Sequence, residues 1–559
     1  MKKLLVLVLI VLLGLSSMAY AQNLGTINQN GSFNEALVTQ SGDDNLAAVD
    51  QAGTSNKADT SQAGSDNSAE LFQDGFGNTG TIAQDARNAQ ANGTQMGSQN
   101  ALEITQTGVL NSAAVVQMGA LNAADVRQTG WFANSTVSQD GQMNKATVSQ
   151  AGVWDQATVT QTGSENDAKV SQGGAGLLVF PTLAGVSQTG QKNVSVVFQH
   201  AYGLASGLSQ AYTTQTGTGN LATILQFGVG LAQGLNYAAI TQEGANLSGW
   251  IKQDGLSHLA YVIQRGEAHE AAIEQLGLAN QAIINQEEFA KGRAEASIFQ
   301  DGKGNEAEIN QLESLQKVAF AAVNTAAIEQ IGISNKASIL QREDEKVDNE
   351  AAIRQNGLAN DAGIVQGDHR YARNGLEAEI TQSGSFNYAQ TVQNRGPAYA
   401  WVTQVGNFNE AYQSQDKDLE GEKMTATIVQ YGDANQARQD QVARRGHAAY
   451  IYQYGSHNQA YETQYDATHQ PPSYTNLAAI TQTGDWNYGA IDQYGYSMEG
   501  TINQSGNLNV GKITQTGINS DGLITQTGSL NDGLIVQAGG NSVGTIVQSG
   551  SSNTGKIYQ

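Results

Sequence analysis

Several residues in this chain are of types that do chemistry, and each group was weighed by its spacing. His258, His269 and His447 could ligate a transition metal through a neutral imidazole. They are scattered, however, and each occupies the same place in a repeated pattern, which assigns them a structural role. The acidic run Glu343-Asp344-Glu345 with Asp348 offers oxygen donors suited to a hard cation. It lacks the EF-hand spacing and the Gly-Asp nonapeptide pattern, and reads as a solvated loop. Paired carboxylates on outward positions are the residue type of glycosidases, but nothing encloses them in a cleft that would shift their pKa values. There is no nucleophile triad and no phosphate loop. No catalytic residue, metal site or cofactor is expected, and the chain does not read as an enzyme.

The most regular residue is chemically inert. Glutamine returns at every eleventh place, at Gln29, Gln40, Gln51 and Gln62, through Gln117, Gln128, Gln139 and Gln150 to Gln172. A second clean run begins at Gln482 and includes Gln515, Gln526, Gln537, Gln548 and Gln559, and between the runs the series continues at longer intervals. Asparagine precedes many of these glutamines by six places, as at Asn34, Asn45, Asn56, Asn67, Asn111 and Asn122. A primary amide carries both donor and acceptor. It can therefore bond to a copy of itself about 4.8 Å away, the separation of neighbouring strands.

The elements that would hold the amides at that spacing follow from the template N-x-A-x-(I/V)-x-Q-x-G-x-x. Asn, Ala, Ile or Val and Gln lie two apart and share one face of an extended strand, with polar residues on the other. The glycine-containing gap reads as a tight turn. Such a strand cannot bury its face alone, so the units must stack. Extra residues follow Gln172, Gln199 and Gln226, then Gln286, Gln311, Gln341, Gln366, Gln415, Gln441 and Gln464. The first three fall on one parity of the series and the later seven on the other, which a period of two explains and a period of three does not. The predicted fold is all-β: a two-sheet β-solenoid with two strands and about 22 residues per coil, stacked Asn and Gln ladders, and a thin seam of Ala and Ile or Val. The prolines agree: Pro181, Pro471 and Pro472 lie in insertions and Pro397 in a turn.

Composition excludes several classes. The formal charge is −23, with only 14% charged residues, which argues against a nucleic-acid partner or an anionic-membrane surface. Lys2, Lys3, the apolar run Leu4 to Leu15 and Ala19-Tyr20-Ala21 form a signal peptide over residues 1–21, so secretion is expected. No later stretch is apolar enough for membrane insertion, and the absence of Cys excludes disulfides and a lipid anchor. The mature chain divides into a regular array at 22–172, an array with edge insertions at 173–481, and a regular array at 482–559.

The run from Ser32-Phe33-Asn34 to Gln40-Ser41-Gly42, then Asn45 to Gln51, resembles the curlin repeat, Gln-x-Gly-x-x-Asn-x-Ala-x-x-x-Gln. The motif returns at Gln139 to Gln150, Gln404 to Gln415 and Gln504 to Gln515. The resemblance, to an unusually long curli-like subunit, implies a secreted component of extracellular amyloid fibres for biofilm matrix and cell adhesion. It also implies an outer-membrane export pore and other curli-like subunits as partners. The usual export-targeting segment is missing, since Asn23, Gly25, Ile27 and Gln29 already form a repeat strand. The other end stops on Asn553, Gly555, Ile557 and Gln559, so end-to-end pairing of these two strands between copies is expected.

Two other readings were weighed. Paired outward threonines, as at Thr105 and Thr107, Thr160 and Thr162, Thr514 and Thr516, and Thr525 and Thr527, suggest ice binding, but Met118, Asp140, Arg265 and Tyr494 interrupt the array. A monomeric solenoid adhesin would use the insertion loops instead. Tyr450, Tyr452, Tyr454, Tyr461 and Tyr465 favour outward aromatic contacts.

Overall fold

In the computed structural model the described residues are 22–175, 178–179, 181–203, 205–206, 209–230, 235–287, 293–313, 323–343, 348–367, 375–417, 423–443, 446–466 and 475–559. The signal peptide, Asp344 and Glu345 of the acidic loop, Pro471 and Pro472 lie outside them. Pro181 and Pro397 each stand immediately before a strand, where no ladder N–H is required.

The alternating pattern produces strands. The first four are β1 (Leu24–Ser32), β2 (Glu35–Gln40), β3 (Leu46–Thr54) and β4 (Lys57–Ser65). β1 pairs in parallel with β3, aligning Gln29 with Gln51, and β2 with β4, aligning Gln40 with Gln62. Consecutive strands thus lie on opposite sheets, and one coil is two strands of about 22 residues, as the insertion parity requires. No helix occurs among the described residues.

The chain forms two units, Met1–Gln264 with Glu274–Leu278, and Arg265–Ile273 with Ala279–Gln559. Each is a β-solenoid of the same construction. In the first, the insertions follow Gln172, Gln199 and Gln226, which are successive rungs of one ladder. In the second, Gln286, Gln311, Gln341 and Gln366 are likewise successive rungs, and Gln415, Gln441 and Gln464 continue them. Within a unit, every insertion therefore leaves from one edge.

The core is the seam between the sheets. Ala47, Val49, Ala69 and Leu71 are buried, as are their equivalents in later coils. Burying one Val, Leu or Ile contributes about 1.5–3 kcal/mol, and the term recurs at each strand. Towards the C-terminus glycine replaces the seam alanine: a Cβ on Gly500 would lie 2.8 Å from Ile491 Cγ2, so isoleucine from the facing strand fills the alanine space.

The turns are tighter than the sequence pattern suggests. The glycine after each Gln sits within the strand, because stacked turns pair as well: Gly31 aligns with Gly53 in β1 and β3. The left-handed corner falls two residues later, on non-glycine residues such as Phe33, Ser55 and Leu121. At Gly119, φ is +104°, and an added Cβ would meet the Gly141 carbonyl oxygen at 2.1 Å. Both the dihedral and the close stacking demand glycine there. Gly119→Ala is expected to destabilise by about 2 kcal/mol or more in urea unfolding. Gly363→Ala, where the new Cβ meets only Ser338 Oγ at 3.5 Å, serves as the near-neutral comparison.

Candidate functional site

The candidate site is distributed: it consists of the two amide ladders and the strands that end them. Gln29 Nε2 donates to Gln51 Oε1 at 2.6 Å, and Gln40 to Gln62 at 2.8 Å. The pattern continues from Gln51 to Gln73, Gln62 to Gln84, Gln117 to Gln139, Gln128 to Gln150 and Gln139 to Gln161. Near the other end Gln515 donates to Gln537, Gln526 to Gln548 and Gln537 to Gln559. In each of these pairs donation runs towards the next coil.

The second amide N–H has a role that the sequence pattern does not reveal. Gln51 Nε2 also donates to the Glu35 carbonyl at 3.0 Å, and Gln139 Nε2 to the Ala123 carbonyl at 3.0 Å, each on the facing sheet. A glutamine thereby ties coil to coil and sheet to sheet. Its two donors and one acceptor pair are all used in a buried setting, where each orphaned group would cost about 1–3 kcal/mol.

Asparagine forms the buried ladder expected and adds bonds to the backbone. Asn34 Oδ1 accepts the backbone N–H of Asn56, and Asn45 Oδ1 that of Asn67, while Asn111 Oδ1 serves Ala133 N and Asn122 Oδ1 serves Asn144 N. Its Nδ2 holds the turns: Asn56 donates to the Ala52 carbonyl at 2.7 Å and to the Gly75 carbonyl of the next coil at 3.2 Å. Direct amide pairs also occur, as from Asn67 Nδ2 to Asn45 Oδ1 at 3.0 Å.

Histidines stand at three of these asparagine positions, and His269 makes both kinds of bond. His258 and His269 place Nε2 3.3 and 3.1 Å from the carbonyls of Asp254 and Arg265, four residues back. His269 Nδ1 accepts Ala294 N, and His447 Nδ1 accepts Asn476 N. An accepting Nδ1 must be unprotonated. Burial accordingly lowers the pKa values of His269 and His447 to about 4, and also lowers that of His258. Asp155 fills the same place, taking Gly152 N and Thr182 Oγ1. Asp348 of the acidic loop accepts Val323 N at 2.8 Å.

A third polar ladder stands where the template calls for Ile or Val. Thr391 Oγ1 donates to Gln413 Oε1, Gln413 Nε2 to Gln439 Oε1, and Gln439 Nε2 to Glu462 Oε2 at 2.8 Å. Polar residues at that template position were the available signal in the sequence. Gln413 and Gln439 give their other N–H to the carbonyls of Trp401 and Thr427, twelve residues earlier. Glu462 is fully buried and its Oε1 has no partner. Burial raises its pKa well above the carboxylate range. A protonated carboxyl is a donor, the role that a third glutamine would have filled.

The outward tyrosines pair in part: Tyr454 stacks on Tyr431, Tyr465 meets Tyr494, and Tyr461 meets Tyr488. The threonine array is broken in register, since Thr105 lies between Ala83 and Arg127.

Residues 22–53, 42–74, 97–130 and 141–174 match the curlin associated repeat. The chain carries curlin-family repeats over these segments. No curated protein matches the chain. The matched curlin repeats lie in the regular part of the first unit, and the same ladder bonds continue through both units beyond them.

Three outcomes follow for this curlin-repeat ladder. Gln139→Ala strands Gln117 Nε2, Gln161 Oε1 and the Ala123 carbonyl, and is expected to cost about 3 kcal/mol or more in urea unfolding. His269 and His447 titrate lower folded than unfolded, so their stability is whole above about pH 6.5 and drains as pH falls towards 4, by roughly 3 kcal/mol each. His447→Asn should flatten that acid limb in urea midpoints. Glu462 titrates higher folded than unfolded, so its contribution is complete in acid and lost as pH rises through the raised pKa; Glu462→Gln should remove this alkaline loss.

Proposed function

We propose that this is a secreted structural protein that self-assembles end to end into extracellular, curli-like amyloid fibres serving biofilm matrix and cell adhesion. The carrying observation is the polarity of the ladders. Because these glutamines donate towards the next coil, the Oε1 acceptors of Gln29 and Gln40 face outward from the first coil. The second N–H groups of Gln548 and Gln559 face outward from the last. The asparagine ladder runs the other way, so Asn553 Oδ1 offers an acceptor where Asn34 would bring a backbone N–H donor. Ile27, Gly555 and Ile557 are only half-buried at these edges. A coil of this polarity is complementary to a second copy in one sense only, the condition for a head-to-tail, open assembly.

Continuing the coil in its own sense seats Gln29 over Gln548 and Gln40 over Gln559. The strand Asn23–Gln29 then extends the sheet of Val543–Gln548, half a coil from direct pairing with Asn553–Gln559. The mature chain, imaged by negative stain with thioflavin fluorescence, is expected to form unbranched fibres. A folded domain fused to either terminus should suppress their growth. Particles of a single length from the unfused chain would overturn the reading in favour of a non-polymerising adhesin.

A further inference from the structure

The left-handed corner residue of each turn stands above its counterpart one coil away. In the second unit one such column reads Phe386, Phe408, Ala434, His457, Trp486 and Leu508, all at positive φ. Backbone bonds hold its members in register: Phe408 N to the Ser385 carbonyl, Ala434 N to Asn407, His457 N to Asp433 and Trp486 N to Ser456. Where two rings are adjacent they stack face to face. Phe386 and Phe408 are 5.1 Å apart at 4°, and His457 and Trp486 are 4.1 Å apart at 9°. The equivalent pair in the first unit, Phe132 and Trp154, is 4.1 Å apart at 4°.

Burial does not account for these rings. Phe408 is 62% and Trp486 57% exposed, and a bulky side chain in the left-handed region costs about 1–2 kcal/mol. At Ala434 the ring is missing. Phe408 below and His457 above are then two coil spacings apart, about 9.6 Å, which is the height of one absent rung. A planar ring inserted there would lie about 4.8 Å from each neighbour, within the range of stacked aromatic pairs and matching the column's own spacings.

The slot is acidic. Asp433, next to Ala434, uses Oδ1 to accept both Asn407 N and Asn407 Nδ2, at 2.7 and 3.0 Å. It has no ion pair among the described residues, and its other carboxylate oxygen remains for a ligand. The stacked pair Tyr431 and Tyr454 flanks the same rungs on the outward face. We propose that the Ala434 rung is a binding slot for one planar, positively charged aromatic ring, stacked between Phe408 and His457 and paired with Asp433. This does not depend on fibre formation.

The test is a fluorescence-anisotropy titration of the mature chain with proflavine, a planar cation, with fluorescein as the planar anion. Proflavine should bind one saturable site, and fluorescein should bind at least tenfold more weakly. Ala434→Phe fills the rung with a residue the column already carries at this φ, and should lower proflavine affinity at least tenfold. Ala434→Ser, which leaves the rung open, should not. Phe408→Ala removes one wall and should weaken binding several-fold. Asp433→Asn should do the same and remove most of the salt dependence. Circular dichroism establishes that each variant is folded; should Ala434→Phe fail to fold, Phe408→Ala decides. Proflavine affinity within twofold of wild type in Ala434→Phe or Phe408→Ala, or equal binding of fluorescein, overturns the assignment.

Discussion

A primary amide buried between two sheets must find its partners at the strand spacing, and most of this molecule follows from that requirement. Strands of one sheet are about 4.8 Å apart. An amide can bridge that distance only if its counterpart occupies the same place in the next coil. A slip of one residue would turn the ladder glutamines outward and the outward charged residues inward, so the register carries a large penalty for error. The same requirement explains where length can vary. Insertions after Gln172 or Gln286 leave the next rung in place, because the chain returns to the same stacking position before its next strand.

Glutamine and asparagine divide the work by reach. The longer side chain crosses to the facing sheet, as Gln51 does to the Glu35 carbonyl, and so sets the thickness of the seam. The shorter one stays at the corner, where Asn56 ties two successive turns together. The corner role is defined by chemistry more than by residue name: an acceptor for one backbone N–H and a donor for a turn carbonyl suffice. A neutral histidine has both, which is why His269 fits, and why its fit requires that it stay unprotonated.

Much of the architecture was legible beforehand because the repeat reports it many times over. Strand periodicity, the two-strand coil, the inward amides and the position of Pro397 all rest on patterns that a single sequence displays. What was not legible depends on atoms outside the pattern. The second glutamine bond ends on a backbone carbonyl, which carries no residue identity. The left-handed corner falls on Phe33, Leu121 or Trp154 as readily as on Ser55, because its side chain points to solvent and only stacking geometry selects the conformation. Glu462 illustrates a third limit. Its place in the template was readable, but its protonation follows from the missing donor beyond Gln439, which requires the coil to be built first.

Ladder polarity also bears on how an acidic chain could polymerise in one direction. Cross-coil ion pairs such as Lys252 with Glu274 and Arg395 with Asp416 neutralise some outward carboxylates, but the chain keeps a formal charge of −23. Like charge on the outward faces opposes side-by-side contact and falls off over about 8 Å at physiological salt. Between successive coils, hydrogen-bond groups meet at strand separation, well inside that distance, and the amides there are directional, the glutamine and asparagine ladders running in opposite senses. Repulsion is therefore spread over the faces, whereas the specific attraction is concentrated at the ends. In the proposed fibre this asymmetry, more than hydrophobic area, makes axial addition favourable over lateral clustering, and it arises from the same amide geometry that holds each coil to the next.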